Sequence, residues 1–219
     1  MNNLPLSIIS KNGLPVFENN DAQAKTLSRS FVGVPAQTCL GLGLIVFTIL
    51  STPVFGADKP PILSRDDWRA KAPVMERMTK QTPKEIVIHH TGVPQNKKLG
   101  LAQKLRGLQD FSQKEKHWGD VPYHFYIGVS GQMGETRSVE YQGDTNTKYD
   151  LKDRIQIVVE GDFDKESPTG EQIASLKKLI AWLKQSYGIS SARISVHNDH
   201  TSTSCPGKNL KKLLPELKG

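Results

Sequence analysis

Val196-His197-Asn198-Asp199-His200-Thr201-Ser202-Thr203-Ser204-Cys205-Pro206-Gly207 places imidazole, hydroxyl and thiol groups in one short loop. Neutral imidazole and thiolate are good ligands for first-row metals, and zinc takes both in tetrahedral sites. His197 and Cys205 are too far apart in sequence to share a helix turn. A folded-back loop has to join them, and Pro206-Gly207 turns the chain just after the thiol. Two ligands do not hold a zinc. Ile86-Val87-Ile88-His89-His90-Thr91-Gly92 offers a third at the end of an apolar run. Three protein ligands leave the fourth position to water, the arrangement of a catalytic rather than a structural zinc.

Outward from these stretches, apolar periodicity sets the architecture. Ile86-Val87-Ile88 reads as a strand buried on both faces. Side chains alternate along a strand, so His89 and His90 point to opposite faces and only one meets a given metal. Tyr123–Val129 reads as a strand, with Ser130-Gly131 turning into a hairpin partner over Gln132–Val139. Ile155–Val159 is another strand, and Arg193–Val196 is a short last one that delivers His197. Between them, Leu101, Leu105, Leu108 and Phe111 predict a helix over Leu99–Trp118. Thr169 and Gln172 form a capping-box start. The stripe Ile173, Leu176, Ile180, Leu183 and Tyr187 runs from it to a stop at Gly188. Leu210, Leu213, Leu214 and Leu217 predict a terminal helix cut by Pro215. Ser64 and Asp67 suggest a short capped helix start, and Trp68 an aromatic lid on one end of the core. Strands interleaved with amphipathic helices give an α/β fold: a mixed central β-sheet flanked by helices, in a single domain over residues 63–219.

Residues 1–56 read differently. Cys39–Leu50 is an uncharged apolar run, shorter than the roughly 20 residues of a spanning helix. It has the length of a signal-peptide core, with Lys25 and Arg29 upstream and Val54-Phe55-Gly56 as a small-residue cleavage pattern. This segment is an export signal or an anchor, and residues 57–62 are a linker. The product is expected to be exported, periplasmic or extracellular, and to meet a membrane only through that segment if it is retained. The chain carries a formal charge of +7, of which the first 56 residues hold +1. The basic balance therefore belongs to the folded part and suits an anionic partner such as cell wall or membrane surface. No helix-turn-helix, finger or aromatic RNA-binding signature is present, so nucleic acid is not expected as a partner. With Cys39 removed, Cys205 is a lone cysteine in an exported protein, a hazard unless a metal occupies it.

Five segments together carry a family resemblance. They are Leu63-Ser64-Arg65-Asp66-Asp67-Trp68, Ile86-Val87-Ile88-His89-His90-Thr91, Asp120-Val121-Pro122-Tyr123-His124-Phe125, Gly161-Asp162-Phe163, and His197 with Thr203-Ser204-Cys205-Pro206-Gly207. In this order they resemble the zinc-dependent N-acetylmuramoyl-L-alanine amidases, a family that includes peptidoglycan recognition proteins and phage amidase-type lysozymes. The resemblance implies one zinc ion held by His89, His197 and Cys205, His89 being the histidine of its pair that the family uses. It implies Tyr123 as the active-site tyrosine. It aligns Thr203 with a position that is lysine in the phage enzymes and often threonine in the recognition proteins. It also aligns Val158 with a glutamate of the cytosolic branch, so that base is missing here or supplied otherwise, with Glu160 as a candidate.

The implied reaction is hydrolysis of the amide joining N-acetylmuramic acid to L-alanine, on peptidoglycan or muropeptides. Zinc activates water and polarises the carbonyl. Tyr123 is expected to donate to the developing oxyanion, and Thr203 to orient water or substrate. The alternative is a non-catalytic peptidoglycan-binding module. Binding-only members typically lack the cysteine, so Cys205 favours the enzyme. Any single histidine is more often structural, and His90, His117, His124 and His200 stay at that expectation. Trp118 falls where recognition proteins contact the third residue of the peptide. Arg137 is expected to be an exposed strand arginine, or a partner for a stem-peptide carboxylate.

Overall fold

The computed structural model describes residues 57–219. The expected segment 1–56 lies outside them. The strands are β1 (Ile62–Leu63), β2 (Glu85–His90), β3 (Phe125–Ile127), β4 (Met133–Glu135), β5 (Arg154–Val159) and β6 (Ile194–Val196). The helices are α1 (Leu101–Lys114), α2 (Gly170–Tyr187), α3 (Lys208–Lys211) and α4 (Leu214–Lys218). Six strands form one sheet in the order β1-β4-β3-β5-β2-β6. The β3–β4 pair is antiparallel and every other pair is parallel, so the sheet is mixed, as expected. Among the described residues no helix is long and apolar enough to cross a membrane.

The central strands are apolar because both faces are covered. Ile86 and Ile88 of β2 and Ile155, Ile157 and Val159 of β5 pack with Leu176, Leu179, Ile180 and Leu183 of α2 on one face. Leu210 and Leu217 of α3 and α4 join that layer. On the other face, Leu101, Leu105 and Leu108 of α1 pack with Trp68, Val121, Tyr126 and Val158. Helix α1 covers only part of this second face. The remainder, over β5, β2 and β6, is where the polar residues of the sheet collect.

Local chemistry accounts for the element ends. Thr169 caps α2 through its side chain, which accepts from Gln172 N–H, while the Gln172 side chain returns to the Thr169 backbone. Gly188 ends the same helix in the left-handed region, φ +63°, where glycine meets no Cβ penalty. Helix α1 is shorter than expected. It begins after Gly100, and the chain leaves it before His117, which has φ +56°. The Ser64–Asp67 pair makes a single turn rather than a helix: Asp67 accepts from Ser64 N–H and Oγ, and Arg69 at φ +57° ends it. Trp68 is fully buried, and its indole N–H donates to Glu135 O at 2.7 Å. The expected linker 57–62 is partly ordered into the fold, since Pro60 is buried and Ile62 pairs with Met133.

Candidate metal centre

The β2–β6 register decides where the histidines go. Ile88 pairs with Val196 in a parallel ladder. The next residue on each chain is a histidine, so His89 and His197 leave the sheet side by side, with ring centroids 4.6 Å apart. They lie at the carboxyl ends of parallel strands, where open α/β sheets bind ligands. Cys205 arrives from the loop after β6, and its Sγ lies 3.6 Å from His89 Nδ1. One ligand atom from each of His89, His197 and Cys205 lies within 4.8 Å of the others. Among the described residues no other His, Cys, Asp and Glu group of this kind occurs.

The donor set fits zinc, and each imidazole has one nitrogen already spoken for. His89 Nε2 donates to Gln156 Oε1 at 2.5 Å, and His197 Nε2 shares a hydrogen bond with Thr147 Oγ1 at 2.8 Å. That leaves His89 Nδ1 facing the thiol and His197 Nδ1 free of any protein partner. His197 Nδ1 is buried without a hydrogen-bond partner, a state that a native site rarely leaves unexplained. Burial, then the neighbouring His197, pushes His89 well below the ordinary imidazole range. Burial, followed by His200 and His90, brings His197 down to about 4. Both rings are thus neutral near pH 7, the protonation state a metal requires. Burial holds the Cys205 thiol up at about 12. A divalent ion there has to displace that proton.

His90 turns to the opposite face, as alternation requires, and its Nδ1 accepts from Phe163 N–H at 3.2 Å. His124 is structural: Nδ1 accepts from Gln156 N–H at 2.7 Å and Nε2 donates to Tyr141 O at 2.8 Å. His200 bonds Ser195 Oγ. Neither belongs to the ligand group. Asn198 and Asp199 build the loop, both accepting from Lys211 Nζ, with Asp199 also accepting from Val196 N–H.

Tyr123 and Thr203 share a groove of about 660 Å³ with His89, His197, Cys205 and Trp118. The Tyr123 ring lies 5.3 Å from that of His89. Burial, then the Cys205 sulfur, raises its hydroxyl above the ordinary tyrosine range. Thr203 Oγ1 accepts from the Cys205 backbone N–H at 3.3 Å, which fixes the hydroxyl on the loop that carries the thiol.

Two expectations are corrected here. Glu160 is no base for this site. It is buried, and its carboxylate accepts from Lys104 Nζ at 2.7 and 2.8 Å and from Asn96 N–H. Arg137 is neither exposed nor available to a substrate. It is 1% exposed, donates to the carbonyls of Val121, Gln142 and Asp120, and pairs with Asp144. Val158, where a glutamate was sought, is buried beside α1. The polar residue of β5 that reaches His89 is Gln156, two positions earlier on the same face. A lone glutamine inside Ile155-Gln156-Ile157-Val158-Val159 was the available signal for it. Thr147 and Tyr149 also escaped the sequence reading, because they lie in a loop with no period to place them.

The family model described as N-acetylmuramoyl-L-alanine amidase matches residues 79–208. Peptidoglycan-recognition protein SD of Drosophila simulans is 26% identical over 178 residues, covering 80% of this chain and 94% of that protein. Among solved structures, wild-type Drosophila PGRP-LB matches with a TM-score of 0.62 at 29% identity, covering 69% of this chain and 91% of that one. Peptidoglycan recognition protein-LE, solved in complex with tracheal cytotoxin, a monomeric diaminopimelic acid-type peptidoglycan, matches with a TM-score of 0.63 at 28% identity. Its match covers 71% of this chain and 92% of that one. The matched span holds His89, Tyr123, His197, Thr203 and Cys205, and the chain belongs to the N-acetylmuramoyl-L-alanine amidase family.

Proposed function

We propose that this chain is an exported zinc amidase that hydrolyses the bond between N-acetylmuramic acid and L-alanine in peptidoglycan. The observation that carries the reading is the convergence of ligand atoms from His89, His197 and Cys205 within 4.8 Å of one another along an open groove, with His197 Nδ1 left without a protein partner. When bound, zinc supplies the Lewis acidity that an unreactive amide and a weakly acidic water both require.

The chain's own residues supply the rest. Tyr123 keeps its proton at neutral pH because burial opposes the phenolate. A protonated hydroxyl on the groove wall is the donor that a developing oxyanion needs. Thr203 offers a second hydroxyl on the groove lining and orients water or the scissile amide. It carries no positive charge, so its contribution is smaller than that of a lysine at this place. Glu160 and Asp144 are held by Lys104 and Arg137, and neither serves as a free base. The groove has room for a short peptide, and Trp118 gives it one aromatic wall. The muropeptide bound by recognition protein-LE is the kind of ligand this groove suits. Such a substrate lies outside the cytoplasm, in keeping with the apolar run Cys39–Leu50 as an export signal or anchor.

The test is digestion of purified cell wall by the zinc-loaded protein, with products read by mass spectrometry. Release of free stem peptides, abolished by chelator and by Cys205→Ala, is the expected result. Wall binding without peptide release overturns the enzyme reading in favour of a recognition module.

A further inference from the structure

The geometry points to Gln156 as a positioning residue that fixes His89 for metal binding through a neutral amide, itself locked in place by His124 and Tyr149. The inference rests on the zinc reading above and extends it to residues of β5 and the loop before it.

The backbone of Gln156 is clamped on both sides by one residue. Gln156 N–H donates to His124 Nδ1 at 2.7 Å, and His124 N–H donates to Gln156 O at 2.9 Å. The His124 ring is anchored in turn by its Nε2–H on Tyr141 O. From this fixed point the Gln156 side chain runs across the sheet face to His89. Its Oε1 accepts from His89 Nε2 at 2.5 Å and from Tyr149 O–H at 3.2 Å, which uses both lone pairs. The Tyr149 ring packs against both the His197 ring, at 4.9 Å, and the His200 ring, at 5.7 Å, which restrains its hydroxyl.

This arrangement admits one orientation of the amide. Exchanging Oε1 and Nε2 would set an NH2 group against His89 Nε2. His89 would then have to carry its proton on Nδ1, the atom facing Cys205, and a metal there would lose a ligand. The orientation has a visible cost: Gln156 Nε2 is buried without a hydrogen-bond partner, in a side chain 1% exposed. A glutamate would accept the same two bonds and leave no orphan donor. What the glutamine supplies instead is neutrality. An anionic partner raises the basicity of a ligating imidazole and passes charge to the metal. A neutral partner orients the ring and leaves the metal a stronger Lewis acid.

The experiment compares the parent chain, Gln156→Met and Gln156→Glu for zinc affinity by competition with a chromophoric chelator. Cobalt(II) absorption spectra and thermal melts of the metal-free proteins accompany it. Gln156→Met keeps length and loses the acceptor. Its zinc affinity is expected to fall by about 10–100-fold, with an altered cobalt spectrum. Gln156→Glu restores the acceptor and is expected to bind zinc at least as tightly as the parent, with the parent's spectral type. Parent-like affinity and spectrum in Gln156→Met overturns the inference. If Gln156→Met does not fold, Gln156→Glu decides alone, and weaker zinc binding by it overturns the inference. A parent that binds zinc yet releases no stem peptide defeats the amidase reading and leaves this result standing. A parent that binds no zinc defeats both.

Discussion

Cys205 Sγ lies 3.6 Å from His89 Nδ1, across 116 residues of sequence. His89 is set by the sheet, since β2 has a hydrogen-bonded neighbour on each side. Cys205 is set by a loop, with His90 N–H donating to its sulfur at 3.4 Å. The thiol is therefore the member of the proposed donor set that can be removed with least disturbance to the core. Cys205→Ala is expected to keep the melting temperature of the metal-free parent while losing zinc binding and stem-peptide release together. Differential scanning calorimetry with and without zinc checks it: the parent gains stability from the ion by mass action and the variant does not.

Gly207 is where that loop is fastened. Its φ of +84° lies in the region that disfavours a Cβ, and a Cβ there would come within 2.5 Å of the Phe163 carbonyl carbon and 2.7 Å of Asp164 N. Both obstacles are backbone and cannot swing aside. Gly207→Ala is thus expected to cost about 1–3 kcal/mol from conformational strain alone. It should also weaken zinc binding, although no ligand is changed, because Cys205 is displaced. Urea denaturation and chelator competition read the two effects separately. Unchanged zinc affinity alongside lost stability would show that the thiol finds the ion without this fastening.

The Tyr123 ring packs 5.3 Å from that of His89. Removing its hydroxyl leaves the packing in place and takes away one donor. Tyr123→Phe is expected to bind zinc as the parent does and to release stem peptides about 10²–10³-fold more slowly, the usual loss for one oxyanion donor. Steady-state kinetics on a soluble muropeptide measures this as a fall in kcat with little change in KM.

Periodicity marks His89 and His197 as strand-end histidines, whereas the choice of His89 over His90 came from the family resemblance; the structure brings ligand atoms of His89, His197 and Cys205 within 4.8 Å of one another. Strand alternation separates His89 from His90, and the apolar run before each histidine marks a strand end. The capping box at Thr169 and the stop at Gly188 were legible for the same kind of reason, since a cap is a local arrangement of neighbouring residues. Gln156 and Tyr149 were not. Their roles depend on the β5–β2 register and on a loop crossing the sheet face, and neither is encoded within a few residues. Arg137 was misread because an arginine at a strand end is ordinarily solvated. Here three backbone carbonyls left unpaired by the turns around Val121 and Gln142 draw it inside.

Arg137 is therefore a structural centre. It is 1% exposed and donates to Val121 O, Asp120 O and Gln142 O while pairing with Asp144. These carbonyls belong to the segments flanking Tyr123 and leading into the groove wall. Arg137→Met strands them and leaves Asp144 without its cation, for an expected loss of about 3–5 kcal/mol. Arg137→Lys keeps the charge but lacks the planar fork of donors, so it should recover only part of that loss. Chemical denaturation of the metal-free proteins gives both numbers. Equal stability of the lysine variant and the parent would mean that charge alone, not the fork, holds this corner.

His124 makes the fold sensitive to acid. Burial pushes its imidazole down to about 3, against the opposing pull of the Tyr141 carbonyl. The unfolded ring titrates near 6.5. Between these values the unfolded chain binds a proton that the folded chain refuses. Stability then rises with pH, by up to about 1.4 kcal/mol per pH unit for one proton. The contribution is complete above the unfolded value and is lost progressively as pH falls toward the folded one. His89 and His197, depressed in the same direction, steepen the slope in the metal-free protein. His124→Asn removes one titrating group and the clamp on Gln156 together. The expected result is a less stable protein whose unfolding free energy, measured in chelator between pH 6.5 and 4.5, falls less steeply with acid than the parent's. An identical slope would mean that His124 is already protonated in the folded chain. That would contradict the assignment of its Nδ1 as the acceptor for Gln156 N–H, since a protonated ring has no lone pair to offer there.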